Sequence, residues 1–511
     1  MLLLLAATAA GCANRATDVA DPAASTPPPR ETPLPVGLAR DASPQFRAVT
    51  EALVAAMRSA RIPGAALGIL SGGREEHATV GLASLSSLRP VTPETLFQIG
   101  SLTKTYTATA IWRLVDDGKL QLQAPVRRYL RGLRCSDEQV AATVTVANLL
   151  EHTAGWYGDD FIETGDDSDA LSRFVETRLP ELPQLFGCGE FFSYNNAAFQ
   201  LLGRIVEVSA GTDYNDAMQQ LVLGPLGLTK TVLDRGAVLG RPYADGHTAM
   251  PINGRDSVAV QSPLWVPRNV DPAGGIWSTT RDVLRYARMH VEADRPGAGP
   301  GRPSLLKPAS IRAMQEPAVK VPGLELSMGR SWFVQDIEGL RVISHNGDTL
   351  GQHTAFVAVP ERGFALILML NAQPGQEAEL SALDAALTQY RGLAGLSGKA
   401  GLTPALLVPA DAPTVTLPRS QLNDYAGRYV DPGVADDFRV AGDGLQRSST
   451  LTPAPGSWQA DIPPPAPNGP ESVTFLDKDL GIAAGMRMPF VRNAEGKVGW
   501  VAEGLRLRPR T

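Results

Sequence analysis

The sequence has little cysteine and histidine, no dense basic cluster and, after its N-terminus, no long apolar run. It contains 3 cysteines and 6 histidines in 511 residues. No His or Cys stands at metal-ligand spacing from His152, so we predict neither a metal site nor a cofactor. A net charge of −6 argues against a nucleic-acid partner. No later apolar run is long enough to span a bilayer.

The overall composition is that of a soluble globular protein, with 43% hydrophobic and 20% charged residues. A length of 511 residues exceeds one ordinary hydrophobic core and predicts two or more domains. Glycine (50) and proline (41) are plentiful, and no internal repeat is apparent. These features favour a loop-rich enzyme over a helical bundle or a repeat array.

Residues 1–12 are predicted to be an export signal, because an apolar run is followed by small residues. The sequence Ala-Ala-Gly before Cys12 resembles the lipobox of bacterial lipoproteins, in which the cysteine is lipidated. An N-terminal core strand is the alternative, but residues 13–41 are proline-rich and are typical of an extended tether. We therefore predict an exported periplasmic or cell-envelope protein, attached to the membrane only through a lipid on Cys12.

Two cysteines remain if Cys12 is lipidated. Cys135 and Cys188 can form a disulfide in an oxidising compartment. The alternative is a pair of free thiols, because sequence alone does not give their separation. We favour the bridge.

Hydrophobic periodicity predicts a sheet whose strands come from distant parts of the chain. A helix is expected at about residues 46–57 and a β-hairpin over 65–82, followed by a mostly helical region over 126–233. Further strands are predicted at 341–344, 354–359 and 364–370, before a helix over 377–390. Strands at both ends with helices between them indicate one α+β domain with a helical insertion. A linker over 392–415 then precedes a small β domain at 416–511, with strands expected at 425–430, 438–440, 473–476 and 498–507.

Ser101 and Lys104 form an S-x-x-K motif at the start of a predicted helix over 103–119. Residues three apart on a helix share one face, so the amine can reach the hydroxyl. A serine becomes a nucleophile when a neighbouring base takes its proton, and burial keeps a lysine partly neutral. The chain's other S-x-x-K match ends at Lys307, whose following Pro308 disfavours helical geometry. We interpret that second match as chance.

Two further segments provide partners for this serine. Tyr194 and Asn196 form a Y-x-N motif, in which the phenol can relay a proton and the amide can orient Lys104 and bind substrate. His345 and Gly347 follow a predicted strand, where glycine permits close approach of a substrate. Taken singly, Y-x-N is more often a helix cap and His345 more often a surface turn residue. The turn at His152 is interpreted as structural.

These segments, in this order, resemble the superfamily of serine β-lactamases and penicillin-binding proteins. The resemblance covers residues 42–391 and is greatest to class C β-lactamases, D-alanyl-D-alanine carboxypeptidases and related esterases and D-aminopeptidases. It implies a mostly antiparallel sheet flanked by helices (an α/β fold of the α+β type), with an all-α subdomain. The C-terminal region resembles the small β-barrel domains of some relatives.

The resemblance also implies a role for each motif residue. Ser101 is the acyl-enzyme nucleophile, Lys104 its base and Tyr194 the proton relay, while Asn196, His345 and Gly347 bind substrate. The backbone N–H groups of Ser101 and Asp348 form the oxyanion hole.

One departure narrows the expected activity. His345 stands where many β-lactamases have a lysine, and histidine is mostly neutral at pH 7. We therefore predict an exported serine hydrolase acting on an ester or amide of a small molecule or peptide, with weak β-lactamase activity at most. The alternative is a non-catalytic or slowly deacylating protein that binds envelope peptides or penicillin. The oligomeric state is left open.

Overall fold

A computed structural model describes residues 34–252, 255–261, 264–292, 305–373, 375–390, 392–396, 408, 411–451 and 469–511. The export signal, Cys12 and most of the predicted tether and linker lie outside these ranges. Within them, no helix combines the length and apolar character needed to cross a membrane.

The helices in chain order are α1 (Pro44–Ser59), α2 (Thr103–Asp116), α3 (Glu138–Thr143), α4 (Val146–Leu150), α5 (Ala170–Arg173), α6 (Asn196–Ala210), α7 (Tyr214–Met218), α8 (Arg235–Leu239), α9 (Asp271–Gly274), α10 (Thr280–Val291), α11 (Pro308–Met314), α12 (Gln376–Gln389) and α13 (Arg419–Tyr425). The strands up to α12 are β1 (Val36–Leu38), β2 (Gly64–Ser71), β3 (Arg74–Ser84), β4 (Arg89–Pro90), β5 (Phe97–Gln98), β6 (His247–Ile252), β7 (Arg255–Val260), β8 (Trp277–Ser278), β9 (Val319–Lys320), β10 (Ser327–Met328), β11 (Phe333–Ile337), β12 (Leu340–Thr349), β13 (Gln352–Val359), β14 (Phe364–Leu370) and β15 (Ala372–Gln373). The remaining strands are β16 (Gly427–Asp431), β17 (Val434–Ala441), β18 (Gly444–Leu451), β19 (Glu471–Asp477), β20 (Leu480–Ala483), β21 (Met486–Arg492), β22 (Val498–Glu503) and β23 (Arg506–Pro509).

The main sheet joins the two ends of the larger domain. Its strand order is β1-β3-β2-β14-β13-β12-β11-β10-β9, and the paired strands are antiparallel. Helices α1 and α12 pack on one face, where Phe46 and Leu383 belong to the same buried cluster as Leu366. Helix α10 covers the other face, together with the helical region. Both faces are therefore apolar, which explains the nearly continuous burial of β13 and β14.

The helical insertion lies between β3 and β9 in sequence and is centred on α2. Most residues of α2 are buried, and they include polar threonines as well as apolar residues. The buried hydroxyl groups of Thr107 and Thr109 bond to the hydroxyls of Tyr214 and Tyr286. These contacts satisfy polar groups that burial would otherwise penalise, and they fix α2 against its neighbours.

The C-terminal strands form a separate antiparallel sheet in simple sequential order, from β16 to β23. An isolated bridge between Tyr429 and Arg510 brings the first and last strands together. The interior of the C-terminal sheet contains aromatic residues, including Tyr425, Phe438 and Phe490. The region is therefore barrel-like, as the resemblance implied.

An ionic cluster is buried in this barrel-like domain. Arg508 is fully buried and bonds to Asp436 at 2.6 Å, Glu503 at 2.5 Å and Asp431 at 2.8 Å. Arg447 bonds to Asp436 and Glu503 from the other side. The cluster fixes both strands of the β22–β23 hairpin, because Glu503 ends one strand and Arg508 lies in the other.

The mixed antiparallel fold and the C-terminal β domain are confirmed, as are the early hairpin and the helices near both ends of the larger domain. One strand prediction was wrong. Residues 498–507 were expected to form one strand, but Gly504 (φ +60°) reverses the chain and makes a hairpin. The β6–β7 hairpin was not predicted either.

Replacing Arg508 with alanine should destabilise the C-terminal domain by about 3–5 kcal/mol, because the buried side chain of Asp431 would lose its ion pair while Asp436 and Glu503 would keep only the one with Arg447. Urea unfolding followed by tryptophan fluorescence measures this. Arg428→Ala is the matched control, since the Arg428 side chain is 56% exposed and pairs with one surface carboxylate. Equal stability of the two variants would contradict the expected role of the cluster.

Candidate active site

Ser101 lies in a short 3₁₀ turn, Gly100–Leu102, that leads directly into α2. The turn begins with Gly100 at φ +52°, a conformation that favours glycine. Glycine is also required by space, because a Cβ there would lie 2.7 Å from the backbone nitrogen of Asp348. The turn can therefore pack closely against β12, which places the hydroxyl of Ser101 at the start of α2.

Lys104 contacts Ser101 directly. Its Nζ lies 3.0 Å from the Ser101 hydroxyl oxygen and donates to the carbonyl oxygen of Ala273 at 2.7 Å. The side chain is fully buried. Burial holds the pKa of Lys104 well below its ordinary value, and the nearby Arg506 guanidinium lowers it further. Burial therefore favours the neutral amine, which can accept a proton from Ser101.

Tyr194 borders the same site, just before α6. Its ring lies 4.9 Å from Lys104 Nζ and stacks on His152 at 4.4 Å. The hydroxyl is buried and makes no well-directed hydrogen bond with any residue that the structure describes. Burial raises the pKa of Tyr194, and the neighbouring Ser101 hydroxyl and Arg506 only partly offset this. The phenol is thus protonated and available to an incoming group.

Asn196 is the first residue of α6 and does not orient Lys104. Its amide donates instead to Asp159 at 2.7 Å. The preceding Asn195 caps the helix by accepting from the Ala198 N–H. The Y-x-N segment is therefore both a helix cap and part of the site. The expected contact between Asn196 and Lys104 was wrong, because Asp159 offers a charged acceptor and Lys104 is bonded elsewhere.

The third motif lies on β12, which runs past Ser101. A Cβ on Gly347 would lie 1.9 Å from the Ile99 carbonyl oxygen and 2.9 Å from the Ser101 nitrogen. Only glycine permits this approach, which brings the backbone at Asp348 beside the nucleophile. The two N–H groups predicted for an oxyanion hole thus belong to two touching backbone segments.

His345 is buried on the same strand rather than exposed in a turn. Its Nδ1 lies 2.6 Å from the Asn346 carbonyl oxygen and so carries the hydrogen, which leaves Nε2 as an acceptor. Nε2 is buried and has no partner within the described ranges. Burial lowers the pKa of His345 to about 3, with a contribution from Lys104. The side chain is a neutral acceptor, not a cation.

His353 on β13 stabilises the position of β12 through hydrogen bonds of its imidazole. It bonds to Asp348 and to the buried Glu379 of α12, each at 2.7 Å. Glu379 also accepts from the amide of Asn346. Burial lowers the pKa of His353, but the two carboxylates outweigh it and raise the pKa to about 10. The charged imidazole of His353 therefore links β12 to α12.

Arg506 enters the site from the C-terminal domain and was not predicted. It stands at the tip of the β22–β23 hairpin, bonds to Asp159 at 2.9 Å and lies 4.9 Å above the Tyr194 ring. Its signal in the sequence is weak: Gly504 two residues earlier indicates a turn, but nothing indicates that the turn reaches Ser101.

The structure also describes the other residues for which the sequence predicted a role or a chance match: the two cysteines, His152 and Lys307. Cys135 and Cys188 are free thiols in the structure, so the bridge that we favoured is not formed. Both are partly buried against the apolar core, and burial raises the pKa of each thiol. His152 is hydrogen-bonded as expected and accepts from the Asn195 N–H. Lys307 is extended beside Asp116, far in sequence and structure from this site, as expected of a chance match.

The larger domain is similar in sequence to known proteins. Residues 46–390 match the sequence model of the family named Beta-lactamase. Penicillin-binding protein 4 of Amycolatopsis lactamdurans is 32% identical over 319 residues, which are 61% of this chain and 81% of that protein. An unguisins hydrolase of Aspergillus campestris is 26% identical over 61% of this chain and 58% of its own length.

Solved structures share the fold. The crystal structure of SurE superposes with a TM-score of 0.71 at 24% identity, over 91% of this chain and 99% of SurE. A class C β-lactamase from Rhodobacter sphaeroides gives a TM-score of 0.53 at 24% identity, over 67% of this chain and 99% of that one. The coverage of SurE extends beyond the length of the larger domain and so includes C-terminal sheet residues.

The His353 contacts predict a pH-dependent stability. A pKa of about 10 in the folded protein, against about 6.5 when unfolded, means that these contacts stabilise fully below pH about 6.5. Their contribution is lost as the pH rises through about 10. The free energies of unfolding of wild type and His353→Gln in urea should therefore differ most at pH about 6.5 and below, and they should converge above pH about 10. A difference that grows with pH would contradict a charged His353.

Proposed function

The chain belongs to the β-lactamase family, whose members are serine hydrolases, and we propose that it is itself an exported hydrolase that forms an acyl-enzyme on Ser101. Its substrate is an ester or amide. The observation that carries this proposal is the 3.0 Å contact between Ser101 and a fully buried Lys104.

The first step is attack of the Ser101 oxygen on the substrate carbonyl carbon. Lys104 takes the hydroxyl proton as the C–O bond forms, because its buried amine is a base at neutral pH. Tyr194 is protonated and can pass a proton to the leaving group as the bond from the carbonyl to that group breaks. The proton held by Lys104 then returns to Tyr194, so both groups regain their starting forms. Water attacks the acyl carbonyl carbon and gives a proton to Lys104, which passes it to the Ser101 oxygen as the bond from that oxygen to the acyl carbon breaks, and the acid is released.

The developing negative charge on the carbonyl oxygen is stabilised by backbone N–H groups. Ser101 and Asp348 supply them, because Gly100 and Gly347 let their backbones touch. The main chain is held before the substrate arrives, so little reorganisation is needed. His345 and the Asn196 side chain border the space that the substrate occupies.

The preference for substrate follows from His345. A lysine at this position would offer a permanent cation to a substrate carboxylate, whereas His345 is neutral and presents a lone pair at Nε2. We therefore expect weak turnover of penicillins and a preference for esters or amides with a small acyl or D-amino-acid unit. A related fold has been solved with D-Leu bound, in SurE, which supports a D-amino-acid substrate.

Export and lipidation at Cys12 are part of the proposal and rest on the N-terminal sequence. The sequence similarity to a penicillin-binding protein supports a substrate in the cell envelope.

The proposal is tested by intact-protein mass spectrometry with a fluorophosphonate, a penicillin and a p-nitrophenyl ester. We expect a single fluorophosphonate adduct, ester turnover and little penicillin turnover, all abolished in Ser101→Ala. Ser168→Ala is the matched control, since Ser168 is an exposed serine of the same domain. A long-lived penicillin adduct would favour the slowly deacylating binding protein, and full ester turnover by Ser101→Ala would refute the assignment.

Gly347→Ala should lower kcat/KM for the ester by about 100-fold or more, since the new methyl group forces β12 away from Ser101 and displaces an oxyanion donor. The measurement is ester hydrolysis alongside thermal unfolding. Gly132→Ala is the control, because a Cβ there meets no atom within 4 Å. Unchanged kcat/KM in a folded Gly347→Ala protein would show that this backbone is not part of the site.

A further inference from the structure

The tip of the β22–β23 hairpin closes one side of the catalytic site. The Leu505 carbonyl accepts from the Tyr194 N–H at 2.8 Å, and the Leu507 N–H donates to the Ser193 hydroxyl at 3.1 Å. The Leu505 side chain packs with Tyr194 and Phe333 in one apolar cluster. The segment that carries the proton relay is thus bonded to the C-terminal domain through its backbone.

Arg506 extends these contacts to charged groups. Its guanidinium makes two bonds to Asp159, at 2.9 Å from Nε and 3.2 Å from Nη2. Asp159 in turn accepts from the Asn196 amide at 2.7 Å. Burial raises the pKa of Asp159, but Arg506 and Asn196 outweigh it and hold the carboxyl ionised. The result is a chain of contacts from the C-terminal domain to the Y-x-N motif.

We propose that Arg506 is a positioning residue of the hydrolase site: from the C-terminal domain it fixes Asn196 through Asp159 and places a cation over Tyr194. This inference rests on the proposed acyl-enzyme function and deepens it, since it makes the larger domain's site incomplete without the β22–β23 hairpin.

The cation also favours the neutral form of the base. A guanidinium near Lys104 opposes a second positive charge there, and it stabilises the negative charge on Tyr194 if the phenol loses its proton. Arg506 thus lowers the pKa of both Lys104 and Tyr194 and favours the form of each that can accept the Ser101 proton. The expected effect of replacing Arg506 is therefore the same whichever of the two residues is the base.

Other titratable and charged groups also surround Lys104. They are Tyr194 before α6, His152 in the turn after α4, His345 on β12 and the pair Asp159–Arg506. Burial lowers the pKa of both histidines and keeps them neutral. Asp159 raises the pKa of Lys104, and Arg506 lowers it. Loss of Arg506 therefore removes the cation that lowers the pKa of Lys104 and keeps Asp159, which raises it, so protonated Lys104 is favoured.

The test is the pH profile of kcat/KM for the p-nitrophenyl ester, measured on the full chain. In Arg506→Ala and Arg506→Gln, the acidic limb of the profile should move to higher pH by about 1 unit. Ester turnover at pH 7 should fall about tenfold and recover as the pH is raised. Arg506→Lys keeps the charge and should keep the wild-type limb, with a smaller loss in kcat.

Arg428→Ala is the matched control, because it removes an exposed arginine of the same sheet and should leave the profile unchanged. Thermal unfolding of each variant separates folding from catalysis, and Arg506→Gln carries the test if Arg506→Ala does not fold. Guanidinium ions should partly restore Arg506→Ala.

Two results would overturn the inference. One is a folded neutral variant whose acidic limb stays at the wild-type pH, and the other is an Arg506→Lys variant that shifts as far as Arg506→Gln. Failure of the proposed function is distinguishable, because the wild-type Ser101 oxygen would then not displace fluoride from the fluorophosphonate and no phosphonyl adduct would form. Phosphonylation of Ser101 together with an unchanged limb refutes only the role of Arg506.

Discussion

The site depends on the desolvation of one amine. Lys104 is enclosed by α2, α9 and the Tyr194 ring, and its two bonds go to a serine hydroxyl and a backbone carbonyl rather than to a carboxylate. An ordinary buried lysine would be paired with an acid and would stay charged. Here Asp159, whose charge acts on Lys104, forms an ion pair with Arg506. Within the part of the chain that the structure describes, no carboxylate pairs directly with Lys104, and this lets burial favour the neutral amine that can act as a base.

The second constraint is steric. The main sheet and the helical region meet where Gly100 and Gly347 approach, and a methyl group on either would collide with backbone. This contact sets the position of the nucleophile relative to β12. The bonds of buried His353 to Asp348 and Glu379 hold the other side of that strand. The strand is thus fixed from both faces, which suits a site whose oxyanion donors are backbone groups.

Sequence patterns predicted those features of the fold and the site that depend on residues close together in the chain. Ser101 and Lys104 are three residues apart at a helix start, so helical geometry alone brings them together, and the periodic apolar residues of α1, β14 and α12 identify these elements. Asp159, His353 and Arg506 have no such signal, because their roles come from partners far away in the chain. Arg506 and Asp159 are separated by 347 positions. Asn196 was predicted to orient Lys104, but its amide donates to the distant carboxylate of Asp159 instead.

The C-terminal domain shows how a distant structure can set a local charge. Its buried cluster of Arg508, Glu503, Asp436 and Asp431 joins both strands of the β22–β23 hairpin to the barrel interior. Such a cluster contributes little net stability compared with an apolar core, but breaking it is costly. It therefore acts as a rigid support for a hairpin whose tip carries Arg506. An arginine on a flexible loop would lose side-chain and backbone entropy in reaching Asp159, whereas one on this supported hairpin is already in place, so the charge beside Lys104 is fixed by the fold of another domain.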